Sequence, residues 1–272
     1  MQRNVVYGMY SGLALLMDVF EPDEPNGFGV VFIPGSGWSA PLSLDATPLK
    51  DRGQQHVFAV PMAEAGYTTF VINHRAAPRF GYPDPVEDAQ RAVRFVRHSA
   101  DEFGIRCDRI GAVGGSSGGH LSLMLGYMPA DGAPESDDPI LRESANVQCV
   151  VARAAPSNFL SGNMSRYWFL RCKEPEEGDE TSAEYRIHRE ASPITYLTAS
   201  APPTLLIHGD ADPVVPVSQS KELFEALQKK DVASDLIIIP GGGHGAVFEA
   251  AIEPVPDYVG RTIAWLDEHL KD

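Results

Sequence analysis

Apolar residues recur along this chain in two rhythms. Leu15, Met17 and Val19 alternate with their neighbours and predict an early strand over 13–20. Phe28-Gly29-Val30-Val31-Phe32-Ile33 is nearly continuous in apolar character, which suits a strand buried on both faces. Further strands are predicted over 67–73, 109–113, 147–155, 204–208 and 235–239. The second rhythm is helical. Val86, Ala89, Val93, Val96, Ala100 and Phe103 fall on one stripe of a long amphipathic helix, with Glu87, Asp88, Arg91, Arg94 and Arg97 on its solvated face. Asp84 is expected to cap that helix, Pro85 to sit in its first turn and Gly104 to stop it. Other helices are predicted over 57–65, 121–127, 218–230 and 257–270.

Strands and helices thus alternate, the pattern of a mostly parallel sheet with helices on both faces. The expectation is one α/β domain over 1–272. Three stretches lack either rhythm. Residues 39–56 read as a loop over the carboxyl ends of the strands, and 129–144 as surface. The third, 156–192, holds Tyr167, Trp168 and Phe169 ahead of an acidic patch. It is too short to own a core and reads as a cap or insertion within the domain.

Composition narrows the picture. The formal net charge is −15, which argues against nucleic acid as a partner, because phosphate contacts need clustered Lys and Arg. No apolar run approaches the ~20 residues of a membrane-spanning helix, and no leader pattern opens the chain. No membrane partner and a cytoplasmic location are therefore expected. Cys107, Cys149 and Cys172 are odd in number and widely spaced, which fits reduced thiols rather than a disulfide framework or a zinc site. No metal or cofactor is expected.

Ligand sites in open parallel sheets lie beyond the carboxyl ends of the strands. Four such ends carry distinctive residues: 34–38, 114–120, 209–212 and 241–245. Gly114-Gly115-Ser116-Ser117-Gly118 fits Gly-X-Ser-X-Gly, a sharp strand-to-helix turn that exposes a serine. A Gly-rich anion cradle at a helix N-terminus is the alternative for this pentapeptide alone. A serine nucleophile needs a base, and the base needs an acid to orient it. Ser116, Asp212 and His244 supply the three in the expected chain order. Ser117 and Asp210 compete. Only Ser116 has glycine two residues away on both sides, and among the other histidines His120 is expected to pack or bond locally and His208 to bond to a neighbouring loop.

Together these segments resemble the α/β-hydrolase esterase and lipase group, in particular its carbohydrate-esterase-like (acetyl-xylan and feruloyl esterase-like) and hormone-sensitive-lipase-like members. Gly114 to Leu121 resembles the family's Gly-X-Ser-Ala-Gly-Gly-His-Leu turn, and His74-Arg75-Ala76-Ala77-Pro78 its Tyr-Arg-Leu-Ala-Pro segment. His208 to Pro216 resembles the acid loop, with Asp212 at the matching aspartate, and Gly243-His244-Gly245 resembles the histidine loop. The chain departs from the pattern at Pro34-Gly35-Ser36-Gly37-Trp38, where the family has His-Gly-Gly-Gly-Trp. The resemblance implies an α/β-hydrolase fold and an oxyanion hole from the amides of Ser36, Gly37 and Ser117. It also implies a serine carboxylesterase that hydrolyses small-molecule, acetyl-type esters through an acyl-enzyme, with acetylated carbohydrates as one substrate class. An amidase, arylformamidase or peptidase on the same fold is the alternative reading, and a non-catalytic binding protein a further one. Trp38, Tyr82, Trp168 and Phe248 are expected to wall a shallow pocket, with Trp168 equally suited to filling the insertion's own small core. The walls are expected to come from 39–56 and 157–192.

Overall fold

The computed structural model describes residues 1–161 and 167–271. The predicted insertion over 156–192 therefore lies partly outside the described residues. Among these residues, eight strands form one sheet: β1 (Gln2–Tyr10), β2 (Leu13–Phe20), β3 (Gly29–Ile33), β4 (Thr68–Ile72), β5 (Ile110–Gly115), β6 (Cys149–Arg153), β7 (Thr204–Gly209) and β8 (Ser234–Ile239). Their spatial order is β1-β2-β4-β3-β5-β6-β7-β8. β3 to β8 run parallel, while β2 is antiparallel to both β1 and β4.

β3, β4, β5, β6 and β7 are buried along their whole length, as their continuous apolar runs require. Alternate residues feed two cores. Val31 and Ile33 join Val86, Ala89, Val93 and Leu121 on one face, while Val30 and Phe32 join Phe58, Met62, Leu266 and Leu270 on the other. The first face is covered by α2 (Asp84–His98), α3 (Ser117–Tyr127) and α6 (Ser218–Gln228). The second is covered by α1 (Ala59–Glu64) and α7 (Tyr258–Leu270). α4 (Tyr167–Leu170) and α5 (Ala183–Glu190) lie in the connection between β6 and β7.

Several elements depart from expectation. β1 carries no clean apolar alternation, because as an edge strand it buries chiefly Tyr7 and Gly8. α2 ends at His98, not Gly104, and Ala100 and Phe103 still pack from the turn that follows. Asp84 does not cap α2. It is the helix's own first residue, and its carboxylate accepts from the Arg75 guanidinium at 2.6 Å.

Candidate active site

β5 passes into α3 through Ser116, whose backbone sits at φ 54°, ψ −123°. A non-glycine residue there is strained, and the surroundings must hold it. The Ser116 amide donates to the Arg153 carbonyl at 2.7 Å. A Cβ on Gly118 would lie 1.9 Å from the Ile33 carbonyl oxygen, and one on Gly114 would lie 2.4 Å from the Gly118 oxygen. The glycines are there because β3, β5 and α3 converge at this corner with no room for a side chain.

The turn brings together the three residues singled out by their loops. Ser116 Oγ lies 2.8 Å from His244 Nε2, and His244 Nδ1 lies 2.7 Å from Asp212 Oδ2. The carboxylate needs a donor on Nδ1, so Nε2 is left to accept from the serine hydroxyl. The Asp212 side chain is wholly buried. Burial pushes its carboxyl up, but hydrogen bonds from His208, His244 and the amides of Val215 and Val214 outweigh this and hold it well below the usual carboxylate range. Asp210 is turned away: its carboxylate accepts from the Gly241 amide at 2.7 Å.

The loop after β3 differs from expectation at Ser36. Its amide donates to Ser117 Oγ at 2.8 Å and so does not face the site free. The cause is Ser117 itself, which stands where the resembled pattern has alanine and brings a buried hydroxyl to the loop. The amides of Gly37 and Ser117 have no hydrogen-bond partner among the described residues, and Ser117 opens α3, where the helix leaves its first amides unpaired. Gln54 anchors the same loop. Its side-chain oxygen accepts from the Gly35 amide at 2.8 Å, and its nitrogen donates to the Gly35 carbonyl at 3.2 Å.

A cavity of about 310 Å³ opens at Ser116, lined by Gly37, Trp38, Pro156, Trp168, Pro213, Val214 and Val215. Of the four expected wall residues, Trp38 and Trp168 line it. Tyr82 does not; it packs edge-on against Phe169, with its hydroxyl on the Glu190 carbonyl. Phe248 does not either. It is 1 % exposed and belongs to the opposite core, against Tyr258 and beneath the Arg153 guanidinium. The 39–56 stretch supplies no wall, and the acid loop supplies three wall residues that were not expected.

The aromatic wall is tied back to α3. Trp38 stacks on Phe169 at 4.3 Å and donates from Nε1 to His120 Nδ1 at 3.1 Å. His120 Nε2 then donates to the Ala191 carbonyl at 2.8 Å. His120 thus packs in the core against Trp38, Phe159 and Phe169, as expected, but its hydrogen bonds are long-range rather than local. Burial pulls it down to about 4, so the ring is neutral. Trp168 Nε1 donates to the Gly37 carbonyl at 2.8 Å, joining the β6–β7 connection to the loop after β3.

Arg153, at the end of β6, was missed from the sequence. Its Nη1 donates to the carbonyls of His244 and Gly245 at 3.1 and 2.8 Å. It is 3 % exposed, and no carboxylate among the described residues pairs with it. Burial lowers it to about 10. The only sequence signal was an arginine closing an apolar strand.

The probable carboxylic ester hydrolase LipM of Mycobacterium tuberculosis is 30% identical over 232 residues, covering 83% of this chain and 51% of LipM. An acetylxylan esterase of Xylanibacter ruminicola is 26% identical, covering 85% of this chain and 44% of its own. The chain therefore spans about half the length of these relatives. The acetyl ester-xyloside bifunctional hydrolase of Caldicellulosiruptor lactoaceticus superposes with a TM-score of 0.80 at 23% identity, over 97% of this chain and 95% of that one, so the two share the α/β-hydrolase fold. The model of the BD-FAE family matches residues 17–227, from the second half of β2 through most of α6 and including Ser116 and Asp212, and the chain belongs to that family.

Proposed function

We propose that the chain is a serine carboxylesterase for short acyl groups. The observation that carries this reading is the unbroken Ser116–His244–Asp212 hydrogen-bond chain beside two unengaged amides, at the mouth of an uncharged cavity. Ser116 Oγ attacks the ester carbonyl as its proton passes to His244 Nε2. Asp212 stabilises the resulting imidazolium, and the amides of Gly37 and Ser117 receive the oxyanion. The ester bond breaks as His244 protonates the departing alcohol, leaving an acyl group on Ser116. Water, deprotonated by His244, then attacks this acyl group and releases the acid. This reading of the oxyanion hole rests on two donors rather than the three expected.

The lining of Trp38, Trp168, Pro156, Pro213, Val214 and Val215 offers no ion to a charged acyl group, and about 310 Å³ suits acetyl to butyryl. The segment 156–192 contributes Trp168 and Pro156 to this lining and acts as a cover for the acyl site. The acetylxylan esterase relative supports acetylated carbohydrate as the alcohol side. The test is hydrolysis of p-nitrophenyl acetate, butyrate and octanoate and of acetylated xylo-oligosaccharide. Wild type should turn over the short esters, and Ser116→Ala should lose on the order of 10³-fold or more. Retained turnover in Ser116→Ala would sink the assignment. A matched anilide hydrolysed as well as the ester would instead make the protein an amidase.

A further inference from the structure

We infer that His208 is a positioning residue for the acid of this site, a second histidine that holds Asp212 from β7 while His244 engages it from the loop after β8. The inference rests on the reading of Asp212 as the acid. His208 Nε2 lies 3.0 Å from the Val215 carbonyl oxygen and 3.4 Å from Asp212 Oδ2. Both neighbours only accept, so Nε2 carries a proton. On the other side of the ring, His208 Nδ1 lies 2.7 Å from Ser220 Oγ on α6. A neutral ring with its proton on Nε2 accepts there from the serine hydroxyl. The side chains of His208 and Asp212 are both fully buried.

Asp212 Oδ1 accepts from the amides of Val214 and Val215 at 2.8 and 2.9 Å, while Oδ2 faces both histidines. Oδ1 thus has two amide donors, while Oδ2 takes its hydrogen bond from His244 and faces the His208 N–H, shared with the Val215 carbonyl, at 3.4 Å, so the carboxylate plane is set from two directions. The chain Ser220–His208–Asp212–His244–Ser116 runs from a surface helix to the nucleophile. His208 does two things in it. It stops the carboxylate from rotating away from His244. It also takes up part of the charge on Oδ2, so that His244 is less strongly held as the imidazolium. Other charged groups facing this chain are Arg153, bonded to the carbonyls of His244 and Gly245, and the Glu249 carboxylate packed on Gly245. Asp210 on the acid loop is bonded to the Gly241 amide.

The experiment compares wild type with His208→Phe, His208→Gln and Ser220→Ala. Each is titrated with an organophosphonate to count competent sites, then assayed on p-nitrophenyl acetate from pH 5 to 9. His208→Phe should lower kcat per titrated site on the order of 10–100-fold, with KM changing less than about threefold. The acid limb of its kcat/KM profile should move to higher pH. His208→Gln, which keeps an N–H donor, should recover much of the loss. Ser220→Ala should shift kcat and the acid limb the same way by a smaller factor, and it carries the test if His208→Phe does not fold. A merely structural role would lower the yield of titratable sites and leave kcat and the pH profile alone. Wild-type kcat and profile in His208→Phe, or in Ser220→Ala if the first is insoluble, would overturn the inference. Turnover surviving in Ser116→Ala would overturn the underlying reading, a result separable from either.

Discussion

Gln54 meets Gly35 with both halves of its side-chain amide, as a neighbouring strand would. The loop after β3 presents the Gly37 amide two residues later, so Gln54 fixes the path from which that donor projects. Gln54→Ala should lower kcat on p-nitrophenyl acetate about tenfold with little change in KM, because the donor acts on the transition state rather than on the bound ester. Steady-state kinetics at titrated sites check this. Gln54 was not legible in the sequence, where it lies in a polar stretch with no rhythm, and its role exists only because that stretch folds back onto β3. The meeting of Ser116, Asp212 and His244 was legible, because each sits in a loop that closes an apolar strand, Gly-rich at 114–119 and 241–245. Phe248 was misread for the reciprocal reason. An aromatic residue four positions past His244 looks like a wall, but the loop turns it into the far core.

Arg153 binds two elements into one unit at the end of β6. Its carbonyl holds the Ser116 amide, and its guanidinium holds the histidine loop by the carbonyls of residues 244 and 245. Ser116 and His244 are thus referred to the same strand end. Arg153→Met should cost on the order of 10–100-fold in kcat through misplacement of His244. The loss of stability should be smaller than that of activity, because an unpaired buried cation is itself costly. Thermal melts beside titrated kinetics separate the two effects. The converse holds at the turn into α3. Gly118→Ala must push β3 and α3 apart and should lower Tm by roughly 2–6 °C, as an overpacking cost of about 1–3 kcal/mol implies for a chain of this size. The type of most buried elements could be read from apolar runs. β1 could not, since an edge strand that buries two of its nine residues leaves no alternation to read.

Across the molecule, acid should act through buried neutral rings before it reaches Asp212. His74 and His120 are buried, and burial lowers both to about 4. Unfolded, each would bind its proton near pH 6.5, so stability is full above that and falls as pH drops from 6.5 towards 4. Each ring should account for about 3 kcal/mol at pH 4. Asp212, held low by its donors, adds its own loss from the ordinary carboxylate range downwards. Urea melts of wild type and His120→Gln between pH 7 and 4 should show a shallower pH slope in the variant; equal slopes would remove His120 from the account. The position of the four loops was legible from the alternation of elements, whereas the partners that cross between layers were not. The most consequential crossing is at residues 37 and 38. In the proposed function, the loop that offers the Gly37 amide also forms the floor against which an acyl chain rests, and Trp168 grips that loop by the Gly37 carbonyl. Selectivity for chain length and speed of turnover therefore share one piece of backbone. A protein engineer who enlarges this site through Trp168 will change how fast even its smallest ester reacts.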